Sequence, residues 1–164
     1  MLAGRLDGTA PYGWTGTGPD VEHHLVETFR LLGGRGPTSQ ELTALTAYVA
    51  ALPSPPPARA DAAKIARGAA LFASRETKCS TCHVPESGFT DHAKHDVGSA
   101  AGVDRERAFD TPSLRSIAGT APYFHDGRYA TLRDLLIWSG ATMGHTDQLS
   151  NDEVDALEAY LASL

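Results

Sequence analysis

The sequence predicts a mostly α-helical protein in two parts, a smaller helical unit at 1–57 and a larger domain at 58–164. Three observations carry that prediction. An Ala-rich stretch at 61–74 and a second stretch at 150–164 each place apolar residues at helical spacing. The second of these has a near copy at 38–52. Between the two parts stands Pro53-Ser-Pro-Pro-Pro57, a stiff linker composition.

Taken in chain order, the first helices fall at about 20–32 and 38–52. Leu25, Phe29, Leu32, Leu42, Leu45 and Val49 supply their apolar surface. Thr38 followed by Glu41 is a capping box, in which the hydroxyl and the carboxylate each satisfy an orphan backbone N–H. The helix at 61–74 gathers Ile65, Ala69 and Phe72 on one face. Gly68 within it costs helix stability, so it predicts a close helix crossing. The last helix opens with a second capping box, Ser150 with Glu153. Its stripe is Val154, Leu157, Tyr160, Leu161 and Leu164. These two helices resemble the first and last helices of class I cytochromes c, which cross through a glycine and an aromatic contact; the resemblance implies Gly68, Phe72 and Tyr160 for those places.

The only two cysteines are Cys79 and Cys82, in Cys79-Ser-Thr-Cys-His83. This C-x-x-C-H run reads as c-type haem attachment. Each thiol can add across a haem vinyl group, and His83 is then held under the ring as the proximal iron ligand. Two other chemistries use the same cysteines. A redox dithiol wants a strand before it, and here the preceding segment is helical. A zinc half-site wants a second ligand pair, which only His92 and His95 offer. In the polar run Thr90–Asp96 these two histidines are expected to be solvated.

A second axial ligand is expected from methionine, and the choices are Met1 and Met143. Met143 lies 60 residues after His83, in a loop before the last helix, with His145 as a rival two residues on. An open sixth position is the third alternative, and a methionine filling a core gap is the ordinary use of the residue.

Composition limits the function classes. Net charge is −6, against nucleic-acid binding and compatible with a basic protein partner. The 164 residues hold no apolar run of the roughly 20 needed to span a bilayer. The start, Met1-Leu-Ala-Gly-Arg-Leu-Asp-Gly8, lacks the apolar core of a signal peptide.

Downstream of the haem motif come Asp110-Thr-Pro-Ser-Leu-Arg115, Thr120-Ala-Pro-Tyr-Phe-His-Asp-Gly-Arg128 and Thr131-Leu-Arg-Asp-Leu135. In order and spacing these resemble the C-terminal, high-potential haem domain of the bacterial di-haem cytochrome c peroxidase family, which includes MauG-type enzymes. The resemblance covers roughly residues 60–164. It implies a class I cytochrome c-like haem domain, with a downstream Met-Gly ligand at Met143-Gly144. It further implies Arg115 as a partner for a haem propionate, a calcium ion near Thr111–Arg115, and His125 in a turn at the haem edge. It also implies a redox partner protein or a second haem domain within a larger assembly, while haem attachment at C-x-x-C-H, a step of the outer side of the bacterial inner membrane, sets the expected location as periplasmic or otherwise extracytoplasmic.

The N-terminal part echoes the C-terminal one. Thr9-Ala-Pro-Tyr-Gly-Trp-Thr-Gly16 matches Thr120–Gly127 at an offset of 111, and Thr38–Leu52 matches Ser150–Leu164 at 112. Leu32-Gly33 then stands where Met143-Gly144 stands, and Trp14 where His125 stands. The expected architecture is a degenerate, haemless half-repeat before one whole haem domain. The half-repeat is either the remnant of a longer di-haem protein or a docking element that covers the haem domain or a partner. One-electron transfer is the first function this predicts. The alternatives are the high-potential half of a di-haem peroxidase or MauG-like enzyme, and a passive relay between subunits. No Gly-rich loop bearing a distal Glu or Gln for peroxide chemistry is identified.

Overall fold

The computed structural model describes residues 3–164. Six α-helices follow one another: α1 (Val21–Leu31), α2 (Ser39–Ala50), α3 (Ala62–Phe72), α4 (Cys79–Cys82), α5 (Leu132–Trp138) and α6 (Asn151–Ala162). A two-residue antiparallel pair, β1 (Lys94–His95) with β2 (Phe109–Asp110), is the only sheet among the described residues. Met1 lies outside the described residues.

The helix starts follow the sequence. Thr38 and Ser150 cap α2 and α6 with reciprocal bonds to Glu41 and Glu153. Asp20, Asp61 and Thr131 cap α1, α3 and α5 by accepting backbone N–H groups.

The core lies where α3, α5 and α6 meet. Phe72, Leu114, Ile117, Tyr123, Leu132, Leu135, Leu136, Val154, Leu157 and Leu161 form one buried cluster. The α3–α6 crossing sets its geometry. A Cβ on Gly68 would stand 2.0 Å from the Ala156 carbonyl oxygen, so only glycine lets the two backbones approach. Phe72 packs on Tyr160 one turn away, with ring centroids 5.3 Å apart. Lys64 and Arg67 on α3 reach Asp155 and Glu153 on α6, and Arg133 on α5 also pairs with Asp155.

Residues 5–18 run across the C-terminal region as an irregular strap of turns. Arg5 donates to the Ser113 carbonyl and Arg115 to the Asp7 carbonyl. His92 bonds the Ala10 carbonyl and Lys94 the Thr15 carbonyl. Trp14 lies beside His125, ring centroids 4.1 Å apart. The polar contacts from the N-terminal part to the C-terminal region are thus made by this strap. α1 buries no residue fully and leaves Leu31 and Leu32 about four-fifths exposed, and α2 buries only Val49.

Matching local features recur along the chain. Tyr12 pairs with Gly18 and Tyr123 with Tyr129 in isolated bridges. The Tyr12 hydroxyl donates to the Leu6 carbonyl, and the Tyr123 hydroxyl to the Ile117 carbonyl.

Candidate functional site: a cavity behind the C-x-x-C-H turn

The Cys79–His83 segment is one turn of helix entered through Lys78, which adopts a left-handed conformation at φ 58°. That turn puts Cys79, Cys82 and His83 on the wall of one cavity of about 630 Å3. The volume falls in the range of small-molecule and cofactor sites. Much of the wall is apolar: Phe72, Leu114, Leu132, Leu136, Leu157 and Leu161 contribute to it.

His83 is buried, and its Nδ1 lies 3.1 Å from the Phe89 carbonyl oxygen. A carbonyl can only accept, so Nδ1 carries the proton and Nε2 keeps its lone pair. Burial pushes the imidazole pKa down, which favours the neutral form a metal ligand needs. The loop that presents Phe89 is itself pinned. Its N–H donates to Val84 and the Ser113 hydroxyl donates to the Gly88 carbonyl.

The Met143 loop closes on the same cavity. The His145 N–H donates to the Thr77 carbonyl at 2.9 Å, and Thr77 is almost wholly buried. Gly144 has φ +87°, and a Cβ there would sit 2.7 Å from that same carbonyl and 3.7 Å from the Cys79 sulfur. Glycine is needed on both counts. Met143 lines the cavity and His145 is not among its wall residues. His145 holds the loop through its backbone.

Burial pushes both thiols up from their ordinary range, with Asp91 adding to the effect at Cys82. A reactive dithiol needs the opposite shift. Cys82, Asp91 and His95 do bring one ligand atom each within 4.8 Å of one another. Cys79 and His92 are not part of that group, and His92 is engaged with the Ala10 carbonyl. His95 keeps a side chain 38% exposed, but it stands in a strand rather than a loop. It belongs to β1, lines the cavity and lies 2.8 Å from Asp91.

The remaining expected residues divide. Thr111, Pro112 and Leu114 line the wall, and so does His125, which stacks on Phe109 at 3.5 Å between ring centroids. Arg115 does not line it. Its guanidinium is held at the Asp7 carbonyl and against Gly88. The arginine in the wall is Arg5, which sequence reasoning passed over; Trp14, the counterpart of His125 in the repeat, lines it as well. The repeat points only near it: at the offset of 111 Arg5 stands opposite Ser116, one residue past Arg115.

A vinyl-reactive cysteine pair, a neutral imidazole with a free Nε2, a thioether and an apolar wall fit a covalently attached haem.

The comparisons with known proteins agree in kind. The family model of di-haem cytochrome c peroxidase matches residues 62–163. Methylamine utilization protein MauG of Methylorubrum extorquens is 39% identical over 83 residues, 43% of this chain and 23% of that protein. Hydrazine synthase subunit gamma of Kuenenia stuttgartiensis is 28% identical over 141 residues, 60% of this chain and 40% of that protein. The matched regions thus span less than half of either relative. Among solved structures, Kuenenia stuttgartiensis hydrazine synthase superimposes with a TM-score of 0.82 at 22% identity, over 96% of this chain and 69% of that one. A MauG-like protein associated with microbial copper homeostasis superimposes at 0.63 and 20% identity, over 88% and 59%. These likenesses show a shared, mostly helical fold.

Proposed function

The chain belongs to the di-haem cytochrome c peroxidase family, and from that premise we propose that it holds one covalent haem at Cys79 and Cys82, with His83 and Met143 as axial ligands, and works as a one-electron carrier. The observation that carries the reading is the meeting of these four side chains on the wall of one apolar cavity. A haem bound there supplies one-electron redox chemistry.

The chain's own residues supply its setting. The Phe89 carbonyl fixes the orientation and tautomer of His83. The Thr77 carbonyl, through the His145 N–H, holds the Met143 loop at the cavity. Apolar side chains from α3, α5 and α6 keep water from the wall. His83 and Met143 together would hold the iron and leave it no site for substrate, which favours electron transfer over catalysis. The partner is then a redox protein or a second haem domain, met outside the cytoplasm, where c-type haem is attached. No helix among the described residues is long and apolar enough to cross a membrane.

Residues 1–57 are read as the back half of a second, haemless cytochrome-like unit, with 58–164 as the haem domain. Support comes from the matched capping boxes of α2 and α6 and the matched tyrosine bonds. That repeat also favours a second reading. This chain would be the high-potential half of a larger di-haem oxidoreductase, with its other haem on a separate segment or subunit.

Visible spectra of purified protein, oxidised and reduced, test the two readings. A pyridine haemochrome of the c type, with a weak long-wavelength sulfur–iron band that disappears in Met143→Ala, is the expected result. A high-spin oxidised spectrum that changes on adding peroxide would overturn the Met143 ligand and put the enzyme reading first.

A further inference from the structure

Three side chains of different chemistry meet beside the Cys79–His83 turn. The Cys82 sulfur, an Asp91 carboxylate oxygen and a His95 ring nitrogen all lie within 4.8 Å of one another. Asp91 Oδ2 and His95 Nε2 are already 2.8 Å apart. Zinc takes sulfur, nitrogen and oxygen ligands together in one tetrahedral shell, at about 2.0–2.3 Å from each. An ion placed among atoms this close needs only small side-chain movements to meet all three.

The fold holds the three for separate reasons. Cys82 ends the single turn of α4. His95 stands in β1 opposite Phe109 of β2, which fixes its backbone. Asp91 lies four residues before it, and its Oδ1 accepts the Ala93 N–H at 3.0 Å. That bond orients the carboxylate and leaves Oδ2 for His95. The Asp91 and His95 side chains are 20% and 38% exposed, which gives an ion a way in from solvent.

The other candidates are engaged elsewhere. His92 bonds the Ala10 carbonyl, and His83 Nδ1 bonds the Phe89 carbonyl. The Cys79 sulfur lies 3.7 Å from the Thr77 carbonyl and stands outside the group. Charge fits a dication as well. The Cys82 thiolate and the Asp91 carboxylate together neutralise it, and a neutral imidazole adds no charge.

We propose that the chain binds a zinc ion through Cys82, Asp91 and His95 whenever the Cys82 thiol is free, with the fourth position left to water. Binding sends the thiol proton to solvent. In the His95 ring the proton shifts from Nε2 to Nδ1, which frees the Nε2 lone pair for the metal. Zinc and covalent haem then exclude each other at Cys82. Addition of the thiol across a vinyl group forms a carbon–sulfur bond and moves the thiol proton to the other vinyl carbon. The sulfur left behind is an uncharged thioether, no longer the thiolate that zinc requires. Zinc thus occupies the haem-free chain and has to leave before the bond at Cys82 forms. The site itself needs only the free thiol, so it stands or falls apart from the haem reading.

The test uses the full chain made without haem, with its thiols kept reduced. Zinc is titrated by calorimetry, and cobalt(II) serves as the spectroscopic probe. One ion per chain is expected, with a sulfur-to-cobalt charge-transfer band and the intense visible bands of a tetrahedral site. Cys82→Ser should abolish the charge-transfer band. Asp91→Asn and His95→Gln should each weaken binding by at least the roughly tenfold cost of an outer-shell change. His92→Gln should bind as the parent does. No saturable complex in the parent would overturn the proposal. So would parent-like affinity in D91N and H95Q, the result expected if the two cysteines alone chelate the ion. Should H95Q lose helix content by circular dichroism, D91N decides. Matured protein that gives a c-type pyridine haemochrome should take up no zinc at this site, and equal uptake there would overturn the exclusion. If matured protein gives no haemochrome, the haem reading fails by itself and the first titration still decides the zinc site.

Discussion

Helices α2 and α6 begin alike and end in different circumstances. Both are twelve residues long and open with a Thr or Ser capping box closed by Glu at the third position. Both carry an Ala-Leu and an Ala-Tyr step at the same register. Yet α6 buries Val154, Ala156, Leu157 and Leu161, and α2 buries only Val49. Tyr160 packs on Phe72, while its counterpart Tyr48 is 65% exposed. The difference is a partner. α6 has α3 lying across it through Gly68, whereas α2 meets α1, a helix that buries none of its own residues. Caps and periodicity suffice to start a helix; the crossing helix turns its apolar stripe into a core.

The strongest way to break the comparison is to remove the partner's fit. In Gly68→Ala the new Cβ would stand 2.0 Å from the Ala156 carbonyl oxygen, a backbone atom that cannot swing aside. The gain in helix propensity is about 1 kcal/mol, which offsets only part of the strain. The expected net loss is about 3 kcal/mol, read as a lower denaturant midpoint. A midpoint at or above the parent's would mean that α3 and α6 do not pack this closely.

The same contrast can be sharpened with one substitution made twice. Leu157 has no exposed surface, and Leu45 occupies the matching register in α2 but is only half-buried. Leu157→Ala should cost about 3 kcal/mol through transfer and cavity terms. Leu45→Ala should cost about 1 kcal/mol, because less surface is involved. Equal losses in urea unfolding would show that α2 belongs to a core as complete as that of α6.

What the sequence disclosed follows from the range of each signal. Gly68 was legible as a crossing because glycine on a helical face marks a close approach, and Phe72 and Tyr160 through the likeness to class I cytochromes c. The haem motif was legible because its five residues are contiguous. The Met143 loop was legible through Met-Gly, and the reason appears in the fold: Gly144 needs its positive φ to let the chain pass Thr77. Three things were hidden. The strand pair 94–95 with 109–110 is too short for any period to register. His95 reads as one more polar loop residue until β1 turns it to the cavity. Arg5 reaches Ser113 across 108 residues, a contact that local pattern does not report.

The smallest effect separates the two caps by pH. The Glu41 and Glu153 carboxylates accept bonds from Thr38 and Ser150 at their helix starts, which holds both pKa values below the ordinary Glu value of 4.5. A depressed folded-state pKa contributes stability above the unfolded value, and that contribution is lost as pH falls through the folded one. Both caps should therefore weaken as pH drops below about 4.5, taking the ordinary Glu value as the unfolded one. Glu153 also faces Arg67 on α3 at 3.4 Å, so its protonation loosens the crossing as well as the cap. Glu41 faces no cation on a second helix among the described residues, so its protonation only frays the start of α2. Amide hydrogen exchange between pH 5 and about 3.5 should show faster exchange at the first turn of α2, while the loss at α6 spreads to α3. In Glu153→Gln that spread should already be present at pH 5. If the two helices lose protection alike and α3 is untouched, the Arg67–Glu153 contact adds nothing to the crossing.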